Sequence, residues 1–555
     1  MIVQVFAAVL ALAASTASAV EQSCTNLCLQ QPPCPSGTTS VSGTVFLPNG
    51  TTPLPNVLVY VPNAPVQPFT NGVSCTIPAS GSPLVWTLSN ADGSFTLPNM
   101  PAGADIPLVV QSGKWRRQVV VPNVASCTDT PLPVSLSRLP KNHSEGDIPR
   151  TAVLTSSADM PECVLRKVGI DDAEFTTPAG SGRINLYKGA NGAAVSQVGP
   201  PVETDLFGNL ATLNQYDTTI LACQGAVTTT TQPERDNFLA YVNAGGRVFA
   251  ADLEYRWLYN TAPFSSTANW SVEQADPVSQ AVSINTSFPA GLRMAQWMQA
   301  VGGSTTFGQV SFASALHKDT NGVVPPSLAW LTIGNPSAVM QYSFDTPVGS
   351  QPSQQCGRVV YREMHSSNLS SAGNATFPAE CSASNLSAEE KAFVFSLFDV
   401  TSFIQSPMPL TVTYNGNGAT SGAPPVDNTQ YPAGATATVL ANTGNLVRTG
   451  FSFTGWSTAS DGSGTSYAAT GSATFVMGSL PVTLYAKWSP SPCSLDVDGN
   501  NFVDPLTDGL LLMRAMFGLT GDAVTLGALG ANANRNTWEA IRSFLNTQCG
   551  GNFSP

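Results

Sequence analysis

Residues 216–255 read YDTTILACQGAVTTTTQPERDNFLAYVNAGGRVFAADLEY. The opening seven, Tyr216-Asp217-Thr218-Thr219-Ile220-Leu221-Ala222, make a largely β-branched and apolar run of strand length. Pro233 then opens a helical stretch whose Phe238, Tyr241 and Val242 share one face, and Ala244-Gly245-Gly246 closes it. Arg247-Val248-Phe249-Ala250-Ala251 is a second apolar run. Strand, capped helix and strand in this order predict an α/β domain with a parallel sheet. The same rhythm continues on both sides. Thr151-Ala152-Val153-Leu154 reads as a strand followed by a helix from Asp159 to Val168 that Gly169 ends. Gly357 to Tyr361 reads as another strand, and Ser387-Ala388-Glu389-Glu390 as the capping box of a helix carrying Phe393, Val394 and Leu397. The α/β domain is expected over residues 148–405.

The phrases YDTTILACQG, QPERDNFLAYVNAGGRVFAADLEY and CGRVVYREMH resemble the class I glutamine amidotransferase-like superfamily, especially its trehalose-utilisation-type branch, which implies a flavodoxin-like sheet. In the glutaminase members of that superfamily a nucleophilic cysteine follows the strand matching GGRVFAAD. That position falls near Asp252 here, and it holds no cysteine. Cys223 follows the preceding strand instead.

A cysteine nucleophile needs a base to form the thiolate and a third group to orient that base. The chain has three histidines, His143, His317 and His365. Cys223 and His365 both follow strands at the carboxyl edge of the expected sheet, where open α/β sheets place ligands. A Cys223–His365 dyad or an Asp252/Glu254/His365 cluster is one reading. The other is structural: Cys223 bonded to Cys163, Asp252 and Glu254 capping a strand end against Arg256, and His365 hydrogen-bonding in a loop near Glu363. The second reading makes the α/β domain non-catalytic.

Residues 1–19 carry a short apolar centre and end in Ala17-Ser18-Ala19, the pattern of a cleaved signal peptide. Residues 20–37 form a Cys/Pro-rich leader. Over residues 38–140, short alternating runs such as Val57-Leu58-Val59-Tyr60-Val61 are separated by the turn signals Pro48-Asn49-Gly50 and Ala91-Asp92-Gly93, which predicts an all-β sandwich. The order SGTVFLPNG, PLPNVLVYVPN, ADGSFTLPNMPAG resembles the carboxypeptidase regulatory-like family, grouped with carbohydrate-binding-like folds. The resemblance implies a structural or glycan-contacting module without catalytic residues.

Residues 408–490 form another β unit, with TGFSFTGWSTASDGSGTSY at its centre and MGSLPVTLYAKW at its close. These phrases are similar to the Listeria–Bacteroides repeat, a β-grasp-like unit of surface and adhesion proteins. Trp456 and Trp488 are expected to pack beside Phe451 and Phe453.

The last segment, 491–555, carries the sharpest metal motif. Asp496, Asp498 and Asn500 stand at positions 1, 3 and 5 of an EF-hand-like loop, Phe502 offers a backbone carbonyl at position 7, and Asp504 fits position 9. Such spacing gathers the hard oxygens that Ca2+ requires. A helix follows, with Leu510, Met513 and Phe517 on one face. The phrase LDVDGNNFVDPLTDGLLLMRAMFGLTGD resembles type I dockerins and makes this a small helical EF-hand-like module. Position 12 falls on Thr507, so Asp508, one place later, is the candidate final ligand. The second half lacks a second acidic loop, which puts the cohesin partner of dockerins in doubt.

Composition describes the surroundings. A length of 555 residues implies about three to five folding units. A net charge of −12 without a cluster of basic residues argues against nucleic acid or anionic membranes as partners. No apolar run is long enough for a membrane span. The eleven cysteines read as extracellular disulfides, with Cys356–Cys381 and Cys493–Cys549 as local pairs. The expectation is a secreted, modular surface or adhesion-type protein with a glycan or other cell-surface ligand. The alternatives are an exported hydrolase or sugar-metabolism enzyme using the α/β sheet edge, and a carbohydrate-binding accessory protein in polysaccharide degradation.

Overall fold

The computed structural model describes residues 26–32, 34, 38–75, 77–156, 158–189, 199–272, 281–312, 317–334, 337–366, 377–379, 381, 384–402, 410–427, 429, 431, 435–468, 470–477, 482–490 and 493–555. The expected signal peptide, and most of the leader after it, lie outside the described residues. Among the described residues no helix is long and apolar enough to cross a membrane.

The first β unit is a sandwich. Three strands, Ser94–Pro98, Ser40–Thr44 and Asp129–Pro131, form one sheet in that order, and Pro83–Leu88, Leu58–Pro62, Gly103–Ser112 and Trp115–Val124 form the other. Inward-facing Val41, Val59, Val61, Phe95, Ile106, Leu108 and Val110 fill the space between them.

The α/β unit is built on a ten-stranded sheet. Its parallel part runs Gly357–Arg362, Arg247–Ala251, Thr218–Leu221, Thr151–Thr155, Ile184–Lys188, Phe175–Thr176. The central strands are buried along their whole length, which is why they lack alternation. The expectation of a parallel sheet needs one correction. Four further strands, Gln309–Ser311, Ala281–Ile284, Leu328–Gly334 and Ser337–Thr346, extend it in antiparallel register. The helix Gln232–Asn243 starts from a Thr231/Glu234 capping box, and Ala388–Thr401 from the expected Ser387/Glu390 box.

The sandwich and the α/β unit share one continuous apolar core, in which the Trp115 and Phe398 rings pack at a tilt with centroids 5.6 Å apart. The seam is also polar. Trp297 Nε1 donates to the Pro53 carbonyl at 2.7 Å, and Asn49 N to the Val168 carbonyl at 2.7 Å. At that contact Gly169 has φ +97°, and a side chain there would run into the Asn49 backbone. Lys114, almost fully buried, pairs with Asp217 and donates to the carbonyls of Thr70 and Gly72 at 2.9 and 2.6 Å. Burial pushes the Asp217 carboxyl up while the Lys114 charge pulls it down.

The disulfides correct two expectations. Cys356 is bonded to Cys75 across the seam, and Cys381 to Cys163 within the α/β unit, so Cys356 and Cys381 do not pair with each other. Cys163 is thereby unavailable to Cys223, which is a free, buried thiol. Cys34–Cys127 and Cys493–Cys549 are also bonded.

In the 408–490 segment, Val412–Asn415, Val482–Pro490, Phe451–Ser457 and Ser466–Tyr467 form a sheet in that order, its first pair parallel. Trp456 is fully buried against Tyr414 and Phe453, and Trp488 packs on the other side of Phe453. Phe451 instead lies under the Arg448 guanidinium, 4.1 Å from its ring centre. The terminal module packs Asp508–Met516, Asp522–Thr525 and Trp538–Gln548 around Val497, Leu511, Val524, Trp538, Ile541 and Leu545. Here the expected face is rotated: Leu511 and Ala515 point inward, while Met513 and Phe517 are exposed. The last helix is capped by Thr537, whose hydroxyl accepts from Ala540 N.

Replacing Lys114 by Met leaves Asp217 buried without its cation, for which a loss of about 3–5 kcal/mol is expected. Chemical denaturation of the full chain checks this, and a loss under about 1 kcal/mol would show that the seam does not depend on the pair.

Candidate functional site

Four adjacent parallel strands end side by side at one edge of the sheet, with Leu154, Leu221 and Ala250 in register and Ala251 opposite Arg362. Just past those ends come Asp159, Cys223, Asp252 and His365. Sequence distance therefore becomes spatial proximity through strand order alone.

Asp252 is the centre. It is wholly buried and holds φ +51°, a left-handed conformation that a non-glycine residue adopts at a cost. The Cys223 thiol donates to Asp252 Oδ2 at 2.8 Å, and His365 Nε2 lies 3.2 Å from the same oxygen. His317 Nε2 approaches it to 3.4 Å. Asp252 Oδ1 is buried with no hydrogen-bond partner among the described residues. Cys223 is 1% exposed, whereas the His365 and His317 side chains are 26% and 27% exposed, so the histidines form the solvent side.

Each donor is held by its surroundings. Ser156 Oγ donates to the Cys223 carbonyl at 2.5 Å, and Gly225 N to Cys223 Sγ at 3.3 Å. Ser366 N and Oγ donate to the two oxygens of buried Asp159 at 2.8 and 3.1 Å, which fixes the turn after His365. Glu363 anchors the His317 loop. Its carbonyl accepts from His317 N at 2.9 Å, and its Oε1 accepts from Asp319 N and Thr320 Oγ1 at 3.1 and 2.8 Å.

Burial, and then the Asp252 charge, push the Cys223 thiol well above its usual range. For His365, burial opposes the cation, but the Asp252 hydrogen bond and the Asp159 and Asp252 charges raise it overall. Burial raises Asp159, and burial with the Asp319 charge raises Glu363 well above the usual carboxylate range. Asp252, rather than an imidazole, accepts the hydrogen bond of the Cys223 thiol.

Glu254 does not join this cluster. It accepts from Arg256 Nε at 3.3 Å and from Trp257 Nε1 at 3.0 Å, and Arg256 also pairs with Glu203. Burial lifts Glu254 to about 7 against the pull of Arg256. His143 lies elsewhere, bound to Glu174 at 2.6 Å. Two participants were missed by the sequence reading, His317 and Asp159. Asp159 lay in an expected helix, which starts two residues later, at Pro161.

A second cluster lies in the terminal module. Carboxylate oxygens of Asp496, Asp498 and Asp508 all fall within 4.8 Å of one another. Backbone amides orient them: Gly499 N and Asn500 N donate to Asp496 Oδ1, Gly530 N to Asp498 Oδ2, and Val497 N and Asp498 N to Asp508 Oδ1. Among the described residues no Lys or Arg forms an ion pair with these three. Three converging carboxylates without a paired cation fit a hard divalent ion. Asp504 is outside the trio, its Oδ1 accepting from Leu506 N at 2.8 Å.

Residues 411–487 match the Listeria-Bacteroides repeat domain family. The chain is 38% identical over 106 residues to a protein of Evansella cellulosilytica named as a Gly-rich membrane protein, covering 18% of this chain and 12% of that one. It is also 38% identical over 84 residues to a second protein of the same organism, named as a membrane protein, covering 15% of this chain and 12% of that one. The chain thus spans about an eighth of the length of these curated relatives. Among solved structures, a ThuA-like protein from Bacteroides uniformis aligns with 46% of this chain and 91% of its own, at 12% identity and a TM-score of 0.25. A type II cohesin–X-dockerin complex from Acetivibrio cellulolyticus aligns with 25% of this chain and 75% of its own, at 14% identity and a TM-score of 0.13.

Because the Asp252 charge helps to hold the proton on Cys223, Asp252→Asn is expected to speed alkylation of Cys223 by iodoacetamide in the native, EDTA-treated chain at mildly alkaline pH. An unchanged rate, with the variant still folded by its melting curve, would show that the carboxylate does not govern the thiol.

Proposed function

We propose that this chain is an exported, modular surface or adhesion-type protein, in which the fused sandwich and α/β unit form a rigid body carrying the repeat and a calcium-stabilised terminal module. The observation that carries the reading is the set of four disulfides, Cys34–Cys127, Cys75–Cys356, Cys163–Cys381 and Cys493–Cys549. Bonds of this kind persist in oxidising compartments outside the cytosol. The Listeria-Bacteroides repeat over 411–487 supports the same location.

Calcium binding in the terminal module is supported by the three converging carboxylates, and by loop position the Asn500 side chain, the Phe502 carbonyl and Asp504 would add further oxygen donors. Phe502, Leu506, Met516, Phe517 and Leu526 are strongly exposed on this module, which favours a protein partner there over a glycan.

Two measurements test the reading. On intact producing cells, an impermeant biotin reagent should label the chain; exclusive recovery from the cytosol would overturn it. Calcium should raise the melting temperature of the terminal module in the full chain, with about 2.7 kcal/mol gained at a hundredfold excess over Kd. Chelator should reverse the gain, and an Asp496→Ala, Asp498→Ala double variant should not respond. Equal melting in calcium and chelator would reject the site.

A further inference from the structure

We propose that Cys223, Asp252 and His365 form a transition-metal site of the zinc type at the sheet edge of the α/β unit, with its fourth position open toward His317. This goes beyond the surface-protein reading and does not depend on the calcium module.

The geometry carries the assignment. One ligand atom from each of Cys223, Asp252 and His365 lies within 4.8 Å of the others, and the three come from different strand ends. Nitrogen and oxygen donors bound tetrahedrally to zinc at its usual bond lengths lie roughly 3.3–3.5 Å apart. His365 Nε2 and His317 Nε2 stand 3.2 and 3.4 Å from Asp252 Oδ2. The sulfur, 2.8 Å from that oxygen, has to move outward to admit an ion.

The donor set selects the metal class. Thiolate and imidazole favour zinc, cobalt or nickel over the calcium and magnesium that prefer all-oxygen shells. Burial favours an ion at the same place. Asp252 Oδ1 is a buried carboxylate oxygen with no hydrogen-bond partner among the described residues, and leaving such an acceptor unsatisfied is costly. A divalent ion bound by one carboxylate and one thiolate makes a neutral unit. On binding, the S–H bond of Cys223 breaks, a sulfur–metal bond forms, and the proton leaves through the histidine side to water.

The surroundings suit a metal site as well. Cys223 is the free thiol of a chain whose other described cysteines with placed side chains are in disulfides. The loops holding the ligands are fixed by Ser156, Ser366 and Glu363, as ligand-supporting residues must be. The partly exposed histidine side leaves room for a water or another small oxygen donor, the layout of a three-ligand zinc site with an open position.

The test uses the full chain with disulfides intact, stripped with chelator and titrated with Co2+. Binding at Cys223 should produce a thiolate-to-cobalt charge-transfer band in the near ultraviolet, saturating at one ion per chain. The terminal carboxylate cluster has no sulfur and cannot give this band. Cys223→Ser should abolish the band, and Asp252→Asn should weaken binding by at least the roughly 10–100-fold typical of supporting residues. His317→Ala should keep the band. A folded wild-type chain that shows no band in excess Co2+ overturns the proposal without reference to any variant. So does a band that survives Cys223→Ser.

Discussion

The site depends on parallel strands that finish in register. Thr151–Thr155, Thr218–Leu221, Arg247–Ala251 and Gly357–Arg362 are neighbours, so the residues just beyond them converge. The strand interiors are apolar and buried, which fixes their register, and the register in turn brings the Cys223 thiol to the Asp252 carboxylate. Asp252 accepts a left-handed backbone at that point, a strain that surrounding packing must sustain. A one-residue slip of Arg247–Ala251 would turn Phe249 and Asp252 to the wrong faces together.

The rigidity of that sheet is reinforced from outside the α/β unit. The sandwich contributes Lys114 to Asp217 at the start of one central strand, and Cys75 to Cys356 just before another. Trp115 and Trp297 complete a core that belongs to both units. The β-sandwich is therefore a brace for the sheet as well as a module in its own right. A buried ion pair is modest evidence for stability by itself, but its loss leaves an uncompensated charge at the seam.

Much of the fold was legible from local pattern. The strand at Arg247–Ala251, the box at Ser387 and Glu390, and the aromatic core of the repeat follow from periodicity and capping chemistry, which are local. What was not legible is long-range. Cys75 and Cys356 are 281 residues apart, and no spacing rule joins them; nearest-neighbour pairing suggested Cys356–Cys381 instead. His317 reaches the site on a loop that Glu363 anchors, and a loop carries no periodic signal. In the first helix of the terminal module, both Leu510/Met513/Phe517 and Leu511/Ala515 satisfy helical spacing. Only packing against Ile541 and Leu545 decides which face turns inward.

Cys223 remains a thiol beside Asp252 while the cysteines around it are oxidised. Peptide mapping of the chain, alkylated before any reduction, tests this most directly. The account predicts Cys75–Cys356 and Cys163–Cys381 linked peptides, with Cys223 carrying the alkyl group after denaturation. A Cys163–Cys223 linked peptide would contradict it.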